Sequence, residues 1–542
     1  MVKGSNALSK RTERVLLPKG DLKWSSVHLS EVFARTLRLE ASVFDVEGKH
    51  AREVLQQCRY EIVPLVGEGG IASAYHRPRF RRIFVEKSDL PIYQPSQITE
   101  IYPKPHLYIS GKTDTDINSL RVRQNQILLT CSGTIGNCTL VSKTLENRIF
   151  SHDALRISAN NAQDTGYVYA FLRNKIGQVL LRTNNYGAVV QHIEPDHLEY
   201  VPIPNPPTHL KYVIHKNIID SFALRDDSND LMDEASRLLK EELRLPALES
   251  LTPANFKKLN LRAFDVKLSK IHGRLEGSFH TPLIDNIMAH LQKHSGFVTT
   301  LNDGRISKGI VLPGRFKRVY IDEGQGVTFF GGKQLLELDP TGEKYLSTSK
   351  HSERIEGDLR LNQNMILVTR SGTIGKVNIV PKHWVNWIAN EHIIRIVPIS
   401  EAIAGYIFAW LDSDLGYELI HRFTYGSVVD EIDARQIAQV QIPLLKNKRQ
   451  QDKINDLVLE ANEKRYKAYL KEQEAISLIN DAVIFKTGSK QMKEQTKEKP
   501  KSNKPLPLSP KDNDPPVSLD MPFDEAMQRI VRVKPPKKKQ KI

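Results

Sequence analysis

The chain has 542 residues, 40% of them hydrophobic, with a formal net charge of +15 and a pI near 9.4. That length exceeds one hydrophobic core and suits two domains with connectors, and no apolar run approaches the ~20 residues of a membrane-spanning helix. The basic balance is the electrostatic footprint of a phosphate-backbone partner, although residues 486–542 carry fifteen Lys and Arg against seven Asp and Glu and so supply +8 of it.

Residues 1–20 form a polar lead without the apolar core of a secretory signal. Ordered structure is expected from Asp21, where Trp24, Val27, Leu29, Val32 and Phe33 begin a pattern. Runs of β-formers follow at Tyr60 to Val66, Arg82 to Val85 and Leu107 to Ile109, broken by Gly67, Gly69, Pro91, Pro95 and Pro103. Short strands punctuated in this way indicate a twisted, β-rich sheet.

The stretch Leu120 to Gly136, LRVRQNQILLTCSGTIG, recurs at Leu359 to Gly375 as LRLNQNMILVTRSGTIG, with twelve of seventeen residues identical and no gap. In each copy a strand (Gln126–Thr130, Met365–Thr369) enters a turn, Ser132-Gly133-Thr134 or Ser371-Gly372-Thr373. A second strand then returns, over Cys138–Val141 or Val377–Val380. The glycines supply the positive φ of such a turn, whose hydroxyls either cap the loop or contact a ligand.

The register holds well beyond that seed. At an offset of 239 it joins Arg156 to Arg395, Gly166-Tyr167 to Gly405-Tyr406, Tyr186-Gly187 to Tyr425-Gly426 and Ile193 to Ile432. At an offset of 236 it joins Arg38-Leu39-Glu40 to Arg274-Leu275-Glu276, and Arg81-Arg82-Ile83-Phe84-Val85 to Lys317-Arg318-Val319-Tyr320-Ile321. So long a period implies two domains of similar fold rather than a solenoid.

Gly166 to Leu181 and Gly405 to Ile420 have the spacing of an amphipathic helix whose aromatic residues face a core. Each copy leaves through an isoleucine-proline exit into a long helical pattern, about His209 to Leu243 and about Gln450 to Phe485. Each helix spans roughly 50 Å at 1.5 Å per residue. Their apolar stripes are interrupted around Arg225 to Asn229 and Arg465 to Tyr466. Beyond Phe485 the sequence buries too little apolar surface to order itself. Its last cluster, KPPKKKQKI, is open to three readings: DNA-contacting arm, solvated tail or import signal.

No catalytic signature emerges. Asn205-Pro206-Pro207-Thr208 lacks the aromatic residue that amino-methyltransferases stack on a flipped base, and for the strand–Gly-x-Gly–helix site of S-adenosylmethionine the chain offers only the weak candidate Gly67-Glu68-Gly69-Gly70. Glu194-Pro195-Asp196 and Asp339-Pro340 lack the lysine of a nuclease motif, the histidines show no ligand spacing, and Cys58, Cys131 and Cys138 read as reduced structural thiols. The chain reads as a binder whose chemistry lies elsewhere.

The duplicated order of module start, Ser-Gly-Thr-Ile-Gly turn, Tyr-Gly to Ile-Pro exit and long helix, with the Gln450-Gln451-Asp452-Lys453-Ile454 helix entry, resembles the DNA-specificity subunit of type I restriction-modification systems over residues ~25–485. The chain departs from that pattern at Leu210-Lys211-Tyr212, where a glutamine is expected, in inserts before each repeated strand and in its basic tail.

The resemblance implies an α+β fold: two β-rich target recognition domains separated by two long antiparallel helices in a pseudo-two-fold arrangement. The expected partition is 1–20 flexible lead, 21–205 first target recognition domain, 206–250 central spacer helix and connector, 251–445 second target recognition domain, 446–486 C-terminal spacer helix, and 487–542 disordered basic tail. It further implies a non-catalytic subunit in the prokaryotic cytoplasm, serving defence against foreign DNA and reading a bipartite double-stranded site. Expected partners are modification subunits, two in number, and a restriction nuclease-translocase. No cofactor is expected in this chain, S-adenosylmethionine being held by the partner methyltransferase.

DNA-contact candidates are Arg77, Arg79, Arg81, Arg82, Arg182, Asn184, Asn185 and Tyr186 in the first module. In the second they are Arg315, Lys317, Arg318, Lys333, Gln334, Arg370, Arg422, Thr424 and Tyr425. Two other classes remain: an assembly adaptor with sequence-blind DNA affinity, and a self-contained DNA methyltransferase.

Overall fold

A computed structural model describes residues 27–33, 41–186, 191–252, 263–271, 273–340, 342, 344–426 and 429–484. The chain divides into two units, Met1–Lys486 and Thr487–Ile542, and every described residue belongs to the first. The 1–20 lead, Trp24, the module start Arg38-Leu39-Glu40, Gly187, Phe485 and the 487–542 tail lie outside the described residues.

The repetition seen in the sequence is repeated strand for strand. In the first module Ala72–Tyr75, Ala154–Ala159, Ile127–Thr130 and Cys138–Leu140 lie side by side in that order, all antiparallel. In the second, Ser307–Val311, Ile393–Pro398, Ile366–Thr369 and Val377–Ile379 take the same places. A second four-stranded sheet in each module carries short strands, Phe84–Val85, Leu107–Ile109, Pro91–Tyr93 and Ile149–Phe150, or Tyr320–Ile321, Lys344–Leu346, Val327–Phe330 and Ile388–Ala389. A two-stranded ribbon closes each base, Ile62–Pro64 with Pro202–Pro204 and Phe297–Thr300 with Gln441–Leu444.

Both central strands pass over a buried arginine. Arg156 donates to the carbonyls of Ala154 (2.8 Å), Leu120 (3.2 Å) and Phe150 (3.2 Å). Arg395 makes the equivalent bonds to Ile393 (2.6 Å), Leu359 (3.4 Å) and Ala389. Burial lowers both guanidiniums to about 10, a cost offset by the three carbonyls to which each donates, one in each sheet and one in the segment between them.

Where the spacing predicts one helix per module, two form: Thr165–Arg173 and Lys175–Thr183, then Glu401–Leu411 and Asp414–His421. Asn174 ends the first helix in an extended conformation and caps the next by accepting from Ile176 N; Ser413 does the same for Gly416 N. The break turns the second helix back on the first so closely that a Cβ on Gly177 would stand 2.0 Å from the Phe171 carbonyl oxygen, and one on Gly416 would stand 2.1 Å from that of Trp410.

The two long helices, Thr208–Glu242 (35 residues) and Lys448–Leu478 (31 residues), pack antiparallel. Asn217 meets Lys471, Ser221 bonds the Ala468 carbonyl and Asp227 pairs with Lys464, so the numbering runs opposite ways along the pair. Each module core takes the start of its own helix and the end of the other. Ile214, Ile218 and Phe222 join Ala475, Ile479 and Val483 in the first core. Ile454 and Val458 join Ala235, Leu238 and Leu239 in the second. The attachment repeats as well: Gly166 N donates to His215 Nδ1 and Gly405 N to Asn455 Oδ1. The interrupted stripe is explained at mid-helix, where Arg225, Asp226, Asn229 and Glu472 hold polar bonds instead of apolar contacts, while Arg465 is buried and burial lowers its pKa to about 10.

Candidate nucleic-acid interface

Antiparallel order brings one end of each central sheet together. Strand Ala72–Tyr75 leaves there into residues 76–83, Ile127–Thr130 leaves into the Ser-Gly-Thr turn, and Ala154–Ala159 enters from residues 151–153. A fourth segment, 191–194, is bound on top by Ile193 N to the Cys131 carbonyl (2.9 Å) and Gly133 N to the Gln191 carbonyl (3.3 Å). The second module builds the same end from 312–319, 370–376, 390–392 and 429–432, with Ile432 N on the Arg370 carbonyl (3.0 Å).

The turns are scaffolds. Gly133 (φ 71°) and Gly372 (φ 75°) occupy the left-handed region. Thr130 Oγ1 donates to the Thr134 carbonyl and Thr369 Oγ1 to the Thr373 carbonyl, both at 2.5 Å. These bonds close a loop longer than a two-residue hairpin. Ser132 and Ser371 sit at its shoulder, where Ser371 Oγ lies 2.7 Å from His392 Nδ1, while Thr134 and Thr373 are exposed.

In the first module the loop after Tyr75 carries Arg77, whose guanidinium lies over the Tyr75 ring (4.9 Å), exposed Arg79 and Arg81, and half-buried Arg82, 4.0 Å from Asp153. Arg182 is exposed at the end of its helix. Tyr186 joins this end, its hydroxyl donating to Glu194 Oε1 (3.0 Å); burial, then that bond, raise its pKa. Asn184 and Asn185 are buried: Asn184 donates to the Leu180 (2.9 Å) and Tyr200 (3.3 Å) carbonyls, and Asn185 to the Arg182 carbonyl (2.6 Å) and Gln191 Oε1 (3.1 Å).

In the second module Arg315 and Lys317 are exposed, and Arg318 pairs with Glu391. Burial works against the Glu391 carboxylate, but its bond to Arg318 outweighs that and holds it below the usual carboxyl range. Arg370 binds Glu431 Oε2 at 2.5 Å, and Arg315 lies 3.6 Å from the same carboxylate. Thr424 and Tyr425 stand beside them, Tyr425 exchanging backbone bonds with Glu431 (2.7 and 3.0 Å). Arg422 is wedged instead between Phe279 (4.4 Å) and Phe423 (5.2 Å), and burial lowers its pKa. Lys333 is exposed in the turn Gly332–Gln334, where Gln334 accepts from Gly331 N (2.9 Å).

The rim also holds residues that sequence reasoning passed over. Ser151-His152-Asp153 aligns with Asn390-Glu391-His392, so acid and imidazole exchange places while an arginine, Arg82 or Arg318, meets the acid in both. His76 lies 3.7 Å from both Cys131 Sγ and Glu194 Oε2. Burial pushes the Cys131 thiol up to about 12, so it is protonated at neutral pH and is no nucleophile. Of the carboxylates weighed as nuclease candidates, Glu194 is engaged by Tyr186 and Asp339 by Arg173 (3.1 Å). Among the described residues no cluster of His, Cys, Asp and Glu is arranged to hold a metal ion, and no helix is long and apolar enough to cross a membrane. The arrangement is a cationic, hydrogen-bonding rim suited to binding.

Residues 337–457 match the family model of the Type I restriction modification DNA specificity domain. No curated protein matches the chain. Similar solved structures include the S subunit of a type I restriction-modification system from M. genitalium, at 12% identity over 79% of this chain and 96% of that one, TM-score 0.31. The HsdS subunit from Thermoanaerobacter tengcongensis matches at 13% identity over 78% and 96%, TM-score 0.24. A chain from a study of complex assembly and conformational transition of the type I R-M system matches at 14% over 78% and 97%, TM-score 0.24.

Proposed function

We propose that this chain is the sequence-reading subunit of a type I-like restriction-modification or modification-based defence complex, each module reading one half of a bipartite double-stranded DNA site. The observation that carries this reading is the repeated loop end: two corresponding rims that each carry cations and a tyrosine, built on the same sheet order and attached to opposite ends of one helix pair. DNA recognition needs cations to hold phosphates and a few polar side chains to read base edges. Two modules on an antiparallel pair present those rims in opposite senses along a duplex.

The helix pair acts as a spacer. A 35-residue helix is roughly 50 Å long, enough to separate half-sites by about one turn of DNA, ~34 Å. Methyl transfer, and cleavage where it occurs, belong to partner subunits docking on this frame in the cytoplasm, so this chain is not itself an enzyme. The candidate partition at 205, 250, 445 and 486 belongs to the same proposal.

The test is selection of binding sites from a random duplex library, using the full chain co-purified with its modification subunit at physiological salt. Two short, unlike half-sites at fixed spacing are expected. Binding without enrichment of any sequence would overturn the reading in favour of an assembly adaptor.

A further inference from the structure

The two modules do not merely share a fold; along one segment they share their exposed chemistry. Arg79-Phe80-Arg81-Arg82-Ile83 aligns with Arg315-Phe316-Lys317-Arg318-Val319. Both segments lead into strands, at Phe84 and Tyr320, and in both the exposure alternates as it does along an extended chain: positions one, three and five are exposed and two and four half-buried. The inward pair anchors the segment. Phe80 packs edge-on against His152 (5.8 Å) and Phe316 against His351 (5.3 Å), while Arg82 and Arg318 face Asp153 and Glu391. The outward cations are therefore presented by a fixed backbone, ~6.7 Å apart, a span of about two steps of ~3.4 Å along one DNA strand.

The opposing segment of the same rim does the reverse. Exposed Gln191 and half-buried His192 align with exposed Asp430 and half-buried Glu431, so polarity and charge change while the backbone bridges to Tyr186 and Tyr425 stay the same. Buried Asn185 steadies Gln191 through its Oε1 at 3.1 Å. Phosphates are identical in every sequence and bases are not. Groups repeated in two readers of unlike half-sites suit the former, and groups that differ suit the latter.

We propose, resting on the DNA-reading function above, that Arg79 and Arg81 in one module and Arg315 and Lys317 in the other hold the DNA backbone in register. Base choice falls to Gln191 and His192 in the first module and to Asp430 and Glu431 in the second. The pairing rules agree: a Gln amide is bidentate to adenine, and Asp or Glu accepts from cytosine N4. In the second module the two kinds of group stand side by side, with Arg315 3.6 Å from Glu431. Asn185 is on this account a positioning residue, acting through Gln191.

Three double variants of the full chain, purified with its modification subunit, separate the roles. Arg79→Ala with Arg81→Ala is expected to weaken the selected duplex and a scrambled duplex by the same factor. It should make the salt dependence of log affinity shallower by about one per side chain removed, and leave the selected bases unchanged. Gln191→Asp with His192→Glu is expected to change the bases selected in one half-site only, at the original spacing. The division is overturned if the arginine pair alters base preference, if the loop exchange leaves both half-sites as they were, or if Arg79→Lys with Arg81→Lys fails to restore affinity. If the unmodified chain itself enriches no sequence, the DNA-reading function fails, whereas the other outcomes bear on the division of roles alone.

Discussion

Glu472→Gln probes whether one carboxylate locks the two modules into a single relationship. Glu472 is 2% exposed on the second long helix, where Arg173 Nε (3.1 Å) and the Tyr169 hydroxyl (2.9 Å) donate to one oxygen and Arg225 of the first long helix to the other. Arg173 continues to Asp339 of the second module at 3.1 Å, so both modules and both helices meet here. Glutamine keeps the shape but removes the charge facing two largely buried guanidiniums. Breaking a buried pair from one side costs about 3–5 kcal/mol, so a loss of about 4 kcal/mol is expected in urea unfolding.

Acid sensitivity should change as well. Burial alone would raise the Glu472 carboxyl, but Arg225 and Arg173 outweigh it and hold it below the usual range. A carboxyl depressed on folding contributes its full stability above its unfolded value, near 4.3, and loses it as pH falls through the folded value. The unmodified chain should therefore lose stability between about pH 5 and the folded value through a contribution that the variant lacks. The proposed spacer function predicts a broader distribution of spacings in the variant's selected sites. A stability loss under about 1 kcal/mol, the worth of an exposed pair, would refute the reasoning.

The remaining expectations concern packing and reactivity. Arg395→Met should destabilise the second module by at least about 2 kcal/mol in chemical denaturation, since buried carbonyls lose their donor without a replacement; Arg156→Met should do the same in the first. Gly177→Ala and Gly416→Ala should each cost about 3 kcal/mol by overpacking, because the new Cβ meets a carbonyl oxygen at 2.0 or 2.1 Å; unchanged melting would contradict that approach. Burial pushes the Cys131 and Cys138 thiols up to about 12, so iodoacetamide at pH 8 should label both only after unfolding, as peptide mass analysis would show.

The duplication, the rod-like helices and the strands flanking the Ser-Gly-Thr turn were legible because each is a local pattern, either identity at constant spacing or apolar periodicity. The basic part of the rim was legible too, since Arg79 and Arg81 crowd one short stretch and Arg315 and Lys317 crowd its repeat. Its acidic and imidazole part was not: Asp153, His192, Glu391 and Glu431 are ordinary residues until antiparallel pairing brings loops far apart in sequence to one end of a sheet. The central strands were hidden for a related reason, because Arg156 and Arg395 interrupt apolar runs and declare themselves buried only when three carbonyls surround them.

The sequence alone determined that there are two copies of one module, what joins them and that the whole is basic, because those properties are written in composition and repeat. Only the tertiary structure decided which side chains face outward. Asn184 and Asn185 have the composition of DNA contacts, yet they are drawn inward by carbonyls that need donors. Only tertiary structure also decided that neither core is complete by itself. Each is filled by the far end of the other copy's helix, and burial of that kind depends on contacts between residues hundreds of positions apart, which no local pattern encodes.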